Sequence, residues 1–318
     1  PFDLRPQGHD IIRTWLFATV VRAHLELGEL PWKHAAISGW ILDPDRKKMS
    51  KSKGNVVTPM GMLEEHGSDA VRYWAASGRP GTDTAFDVGQ MKIGRRLAIK
   101  ILNASRFALS MGAVAEGAGV TAELDKALLA QLAEVVRQAT AAFEGYNYSR
   151  ALEVTEQFFW RFCDDYVELV KDRSYGARGE ADAASAKLAL GIATDTLLRL
   201  FAPFLPFVTE EVWSWWREGS VHRAAWPKEA DVSALAADGD AAALDAVADV
   251  LVFIRKAKSD AKKSMRARLA NATVFAPAAF IARVRSVEAD LLAAGGIDEI
   301  VYVEAERLDV TAVLAETE

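Results

Sequence analysis

Several things are scarce or missing in this sequence, and each absence excludes something. One cysteine in 318 residues, Cys163, excludes an intrachain disulfide and any cysteine-rich zinc site, and no structural metal is expected. Its place inside a helical pattern makes Cys163 a small core residue. No apolar run approaches the length of a membrane span, and no leader with a charged start and apolar core is visible, so a cytoplasmic protein is expected. Surplus positive charge is missing too. The 38 Lys and Arg against 44 Asp and Glu give a net charge of −6, so any contact with nucleic acid must come from local patches. The Gly-x-x-x-x-Gly-Lys-Ser/Thr spacing of a P-loop is absent, and no internal repeat is evident.

What remains is the composition of an ordinary globular protein, 51% hydrophobic and 26% charged, with length for two or three domains. Its most informative stretch is Lys48-Met49-Ser50-Lys51-Ser52, continuing into Lys53-Gly54-Asn55. A predicted strand over 35–42 precedes it and a predicted helix starts after it near Thr58, with Asp43-Pro44-Asp45 forming a turn. Strand, cationic glycine-containing loop, then helix is an arrangement suited to phosphate. Ammonium groups supply charge, hydroxyls and backbone N–H groups supply hydrogen bonds, and glycine permits close approach. For an arbitrary Lys/Ser loop the competing reading is a solvated surface.

This loop resembles the Lys-Met-Ser-Lys-Ser signature of the class I aminoacyl-tRNA synthetases, with the Lys-Gly-Asn-Val-Val that usually follows. The resemblance implies that Lys48, Ser50, Lys51 and Ser52 act on ATP, supplied with Mg2+, as an amino acid attacks its α-phosphate. Lys51 is the residue expected to meet charge growing on the departing pyrophosphate. The words Arg-Pro-Gln-Gly-His-Asp-Ile-Ile-Arg-Thr-Trp, residues 5–15, look most like the valine branch of that family. By that resemblance Gly8, Asp10, Gly39, Trp40, Met49 and Lys51 bind ATP. Asp10 also holds the ammonium of valine, and Ile11 and Trp15 wall its side-chain pocket. From the residues alone, a lone Asp at this helix start reads as a helix cap. The family's His-x-Gly-His element is not among the five histidines. Proline stands at position 1 with the lysine loop about fifty residues on, which leads us to expect a C-terminal piece of a synthetase that starts inside a domain.

The remaining pattern is helical. A mostly buried helix is predicted over 11–27, with two shorter helices after the loop, the second carrying Val71, Trp74 and Ala75 inward. A long helix over 88–111 follows, and 112–119 is a small-residue linker. Four helical patterns over 121–144, 148–173, 181–202 and 207–218 make a bundle, which in this family binds the anticodon arm. Phe158, Phe159, Trp160, Phe162 and Trp213, Trp215, Trp216 exceed what a core stripe needs, so one or two rings are candidates for stacking on bases. Residues 219–240 read as irregular. A helix over 241–267, a strand, a helix over 277–294 and a second strand close the chain.

The fold class is therefore mainly α with α/β parts. It comprises a truncated Rossmann-like catalytic half (1–60), a stem-contact helical region (61–115), an anticodon-binding bundle (116–235) and a small α/β domain (236–318). Expected tRNA contacts are Arg95, Arg96 and Lys100 on the long helix and Arg255, Lys258, Lys262 and Arg266 on the basic one. Lys258, Lys262 and Arg266 are four apart and would share a helix face. The expected partners are tRNA(Val), valine and ATP, with the protein a monomer. Isoleucine and leucine enzymes share the lysine loop. A non-catalytic tRNA-binding module would need only the bundle and the basic helix, and a plain helical scaffold would leave the lysine signature unexplained.

Overall fold

A computed structural model describes residues 2–112, 114 and 116–315. Strand β1 (Phe2–Gly8) runs through a 3-10 turn (His9–Ile11) and a π turn (Ile12–Leu16) into α1 (Phe17–Leu27), then β2 (Trp32–Ser38). β1 and β2 pair in parallel, Phe2 opposite Trp32 and Gly8 opposite Ser38, the connection between them being the helix that parallel strands require. β3 (Ile41–Leu42) pairs in parallel with β4 (Thr84–Ala85). Between them lie the lysine loop, α2 (Pro59–His66) and α3 (Ser68–Ser77). Next come α4 (Val88–Ser110), α5 (Glu123–Glu144), α6 (Tyr148–Arg161), a π turn (Phe162–Tyr166), α7 (Val167–Ser174), α8 (Glu180–Phe201) and α9 (Pro206–Ser214). The chain ends with α10 (Glu229–Ala236), α11 (Ala241–Asp260), β5 (Leu269–Ala276), α12 (Ala278–Ser286), α13 (Glu288–Gly295), β6 (Ile300–Glu304) and β7 (Asp309–Leu314). This is a mainly helical protein with α/β parts.

The chain divides into two compact units. The first is assembled from Pro1–Leu102, Gln138–Val154 and Phe201–Arg223. Its core includes Ala70 and Tyr73 of α3, Met91, Leu97 and Ile101 of α4, and Val208, Val212 and Trp213 of α9. Asp69 explains how α3 and α9 meet. Its carboxylate accepts the Phe207 and Val208 amides at 3.1 and 2.8 Å, capping α9, whose own Leu205 N-cap offers no side-chain acceptor. Arg72 adds bonds to the Pro203 and Phe204 carbonyls at 2.7 and 3.3 Å.

The second unit holds Asn103–Arg137, Thr155–Leu200 and Ala224–Glu318. Phe158, Phe159 and Phe162 are buried in it with Leu128, Leu132 and Leu190, and so is Cys163. Its centre is ionic. Arg173 of α7, 1% exposed, donates to both carboxylate oxygens of Asp125 at 2.7 and 2.6 Å and to Asp290 at 3.0 and 3.3 Å. Tyr166 and Ser185 complete the shell of Asp125 at 2.8 and 2.6 Å, and Arg178 reaches Asp290 at 2.6 Å. Burial alone would pull the Arg173 pKa down, but the two carboxylates more than offset it and the guanidinium stays charged. One residue thus links α5, α7 and α13.

Several sequence expectations are corrected here. The segment 11–27 has no buried residue, and its start is 3-10 and π rather than α. Its apolar face exists, but the two-stranded sheet beside it supplies no second layer. On α3 the inward residues are Ala70 and Tyr73, with Val71 and Trp74 half-buried and Ala75 exposed. Residues 219–240 contain the short helix α10. The helix expected over 277–294 breaks at Val287 into α12 and α13. β7 was not expected at all, and it pairs antiparallel with β5 to complete a β6-β5-β7 sheet. The basic helix expected to reach 267 stops at Asp260. Position 113 and position 115 of the small-residue linker lie outside the described residues.

Candidate functional site

The lysine loop is braced from beneath by two residues that its sequence signature does not single out. Asp43, buried after β3, accepts the Lys47 amide at 2.7 Å and the Asn55 amide nitrogen at 2.8 Å. Asn55 in turn accepts the Ser50 amide at 3.0 Å and donates to the Lys48 carbonyl at 3.2 Å. One side-chain amide therefore ties Lys48 and Ser50 of the signature to one carboxylate. The bonds from Asn55 and from the Lys47 amide hold the Asp43 carboxyl below its ordinary range. The loop crosses in a 3-10 turn (Lys51–Lys53) closed by Gly54, whose φ of 68° suits glycine and whose amide donates to the Lys51 carbonyl.

This geometry gives the two signature lysines different settings. The Lys48 ammonium sits 3.9 Å from the centre of the Trp40 ring, a cation–π contact. Lys51 is exposed and meets no carboxylate among the described residues. The Ser50 and Ser52 hydroxyls lie 3.3 Å apart, and Met49 is half-buried. Trp40 also packs against the His9 imidazole, ring centres 4.5 Å apart and planes tilted by 44°, and His9 Nδ1 lies 3.2 Å from the Ser38 carbonyl oxygen. The Trp40 amide donates to Asp83 Oδ1 at 2.8 Å. At Gly39 any Cβ would fall 2.2 Å from the Thr82 carbonyl oxygen, so the turn before β4 packs directly on this backbone. Gly8 and Asp10, next to His9, thus share the neighbourhood of Gly39, Trp40 and Lys48.

The pocket residues separate. Asp10 is exposed and its carboxylate makes no cap, the N-cap Gly8 having no side-chain bond to offer. Trp15, 58% exposed, lines a cleft of about 530 Å³ with Arg5, Thr19, Leu30 and Trp32, where Arg5 lies over both indoles at 5.7 and 6.0 Å. Ile11 does not line it. Thr58 is the N-cap of α2 with Pro59 in its first turn, but its hydroxyl makes no capping bond.

The basic residues are also sorted. Arg95 donates to the Glu65 carbonyl at 2.8 Å, Arg96 is exposed, and Lys100 is half-buried. Arg255 pairs with Asp165 at 3.1 Å and with the Asp164 carbonyl at 2.6 Å. Lys258 is 2% exposed, and Lys262 and Arg266 lie beyond the end of α11, so the three share no helix face. Lys258 cannot reach a phosphate. Among the rings, Trp213 is buried, Trp216 stacks with Arg217 at 4.3 Å, and Trp215 is partly exposed. His9, Asp43 and Asn55 were missed by sequence reasoning. For Asn55 a signal existed, since it belongs to the words that follow the lysine signature.

Two family models match stretches of this chain. Residues 1–87 match the class I tRNA synthetases of the I, L, M and V group, and residues 125–273 match the anticodon-binding domain of tRNA ligases. The chain belongs to the class I tRNA synthetase family. The relatives it resembles at high identity are valine--tRNA ligases. It is 64% identical to that of Thermobifida fusca (strain YX), covering 95% of this chain and 34% of the relative. Identity to the Salinispora tropica enzyme is 59% (96% and 38% covered), and to the Leifsonia xyli subsp. xyli enzyme 54% (99% and 37%). The chain thus spans between 34% and 38% of the length of these curated relatives. A LeuRS from Agrobacterium radiobacter K84, solved in a ternary complex with tRNA and LeuAMS, shares the fold at a TM-score of 0.57 and 21% identity. The match covers 74% of this chain and 30% of that one.

Proposed function

We propose that this chain is the C-terminal part of a valine--tRNA ligase, an enzyme that joins valine to ATP as valyl-adenylate and passes valine to tRNA(Val). The observation that carries this reading is the intact lysine signature, braced by Asp43 and Asn55 so that Lys51 is left free, in a chain 64% identical to such a ligase. The two lysines divide the labour. Lys48, resting on Trp40, fixes the loop's base. Lys51 supplies its exposed ammonium to the triphosphate of ATP, where charge grows on the leaving pyrophosphate, and Ser50 and Ser52 supply hydroxyls. A preorganised cation at that point favours the transition state over the ground state. Asp10, exposed beside His9, offers a carboxylate to the ammonium of valine. The second unit, within which most of the anticodon-binding match falls, docks the tRNA. The four-part division of the chain at 60, 115 and 235, the monomeric state and the cytoplasmic location belong to the same reading.

In the intact synthetase, Lys51→Ala should slow single-turnover adenylate formation about 10²–10³-fold, as loss of one transition-state donor does, while valine affinity stays nearly constant. An unchanged rate would remove Lys51 from the chemistry. Exchange of pyrophosphate that depends on isoleucine or leucine rather than valine would move the chain to another branch of the family.

A further inference from the structure

Helix α11 ends at Asp260, and the next eight residues, 261–268, hold four cations and no anion: Lys262, Lys263, Arg266 and Arg268. Arg268 pairs with Asp298. Lys262, Lys263 and Arg266 are exposed and meet no carboxylate among the described residues. The loop is nevertheless built rather than slack. The Lys262 amide donates to Ser259 O at 2.9 Å, Lys263 to Lys258 O at 2.9 Å and Ala267 to Ser264 O at 2.9 Å, while Arg266 donates to the Ser264 hydroxyl at 3.2 Å. Lys262 holds a φ of 54°, an uncommon left-handed conformation for a lysine.

The bolt beneath this loop is Lys258. Its ammonium donates to Met265 O in the loop at 3.1 Å and to Gly295 O, at the C-terminus of α13, at 2.5 Å. A cation suits the negative end of a helix, and those two carbonyls offset part of the cost of burying it without a carboxylate. Lys258 therefore adds no surface charge; it fixes the loop to α11 and α13. Holding three unpaired like charges on one short rigid loop costs electrostatic energy in the free protein, a cost that a polyanion would relieve without first having to order the loop. The loop lies inside the stretch matched to the anticodon-binding domain, residues 125–273, which favours RNA as that polyanion.

We propose that loop 261–268 is a preformed grip for the phosphate backbone of tRNA, with Lys262, Lys263 and Arg266 in contact and Lys258 as the positioning residue that holds the loop in shape. The proposal rests on the reading of this chain as a tRNA-docking part of a synthetase. The test is tRNA(Val) binding by the 318-residue chain across a series of potassium chloride concentrations. Lys262→Ala/Lys263→Ala/Arg266→Ala should flatten the slope of log affinity against log salt by about 2–3, at roughly 0.7–0.9 per lost contact. Discrimination between tRNA species should not change, because phosphates carry no base identity. Lys258→Met keeps all three contacting charges, yet it should flatten the slope by about one contact or more and open the loop to trypsin after Lys262 and Lys263.

If the parent chain binds no tRNA even at the lowest salt, the docking reading fails and the grip with it. If the parent binds and the triple variant matches it in slope and affinity, docking stands and the grip is overturned. A Lys258→Met chain that matches the parent in slope and trypsin resistance overturns the positioning role. Should that variant not fold, the triple variant, whose changes are all exposed, still decides the grip. Polyglutamate bound as tightly as tRNA would overturn the assignment to RNA.

Discussion

Replacing Arg173 by methionine should destabilise the second unit more than any surface change can. The guanidinium makes four bonds to the carboxylates of Asp125 and Asp290, and a fifth to the Asp182 carbonyl at 3.2 Å. Methionine fills similar space but leaves Asp125, fully buried, with only the Tyr166 and Ser185 hydroxyls as donors. Asp290 keeps Arg178. Breaking a buried ion pair by removing one partner costs about 3–5 kcal/mol, a large share of the roughly 5–15 kcal/mol that holds a domain together. Native-state hydrogen exchange suits the measurement because it reports on α7 amides directly and needs no two-state unfolding of the whole chain. Protection there should fall by roughly two to four orders of magnitude. Adding Asp125→Asn should restore part of the loss, since the second change removes the stranded charge. A loss under about 1 kcal/mol, the scale of an exposed pair, would refute the reasoning.

Further expectations concern the lysine loop and its surroundings. Asp43 is held below its ordinary value of 3.8, so its carboxylate stabilises the loop above that pH and the contribution is lost as pH falls through the lower folded value. The NMR shifts of the Lys47 and Ser50 amides should hold constant down to about pH 4 and then change together; a change centred near neutrality would contradict this. Asn55→Ala should release the Ser50 amide at neutral pH, with its faster exchange as the readout, while the Lys47 amide keeps its bond to Asp43. Gly39→Ala should cost roughly 1–3 kcal/mol by forcing backbone off backbone, and an unaltered melting temperature would show that the turn at Thr82 yields freely. The 318-residue chain alone should give no valine-dependent pyrophosphate exchange, because the family's histidine element is not in it.

The lysine loop, the bundle helices and their breaks were legible because each is written locally: a signature, an apolar period, a glycine or proline stop. The end of α11 was not. Lys262, Lys263 and Arg266 are good helix formers with no glycine or proline among them, yet the helix ends in a turn with Lys262 left-handed and the Lys262 and Lys263 amides bonded back to Ser259 O and Lys258 O, beside the ammonium of Lys258 held by Gly295. For the same reason Lys258 read as an exposed tRNA contact on one face with Lys262 and Arg266, whereas it is buried. β7 is six residues near the end of the described chain, paired with a strand about 40 residues earlier, a partnership no local window contains. In 11–27 the period marks which face is apolar but not whether anything covers it. At the site, Lys51 carries its own signal, whereas the brace by Asp43 depends on a bond across twelve residues.

The first unit is stitched from three stretches of chain, the last ending at Arg223, with the second unit's sequence interleaved between them. During synthesis this imposes a waiting time. The cap that Asp69 places on α9 and the bonds from Arg72 to residues 203 and 204 need chain made more than 130 residues later. At about 5–20 residues per second, the gap between Leu102 and Arg223 alone takes roughly 6–24 s. Throughout it α3 lacks its partner helix, and the apolar face of α3 is open to chaperones or to neighbouring chains. Production of the protein should therefore be more sensitive to ribosome pausing between these stretches than to pausing anywhere after residue 223.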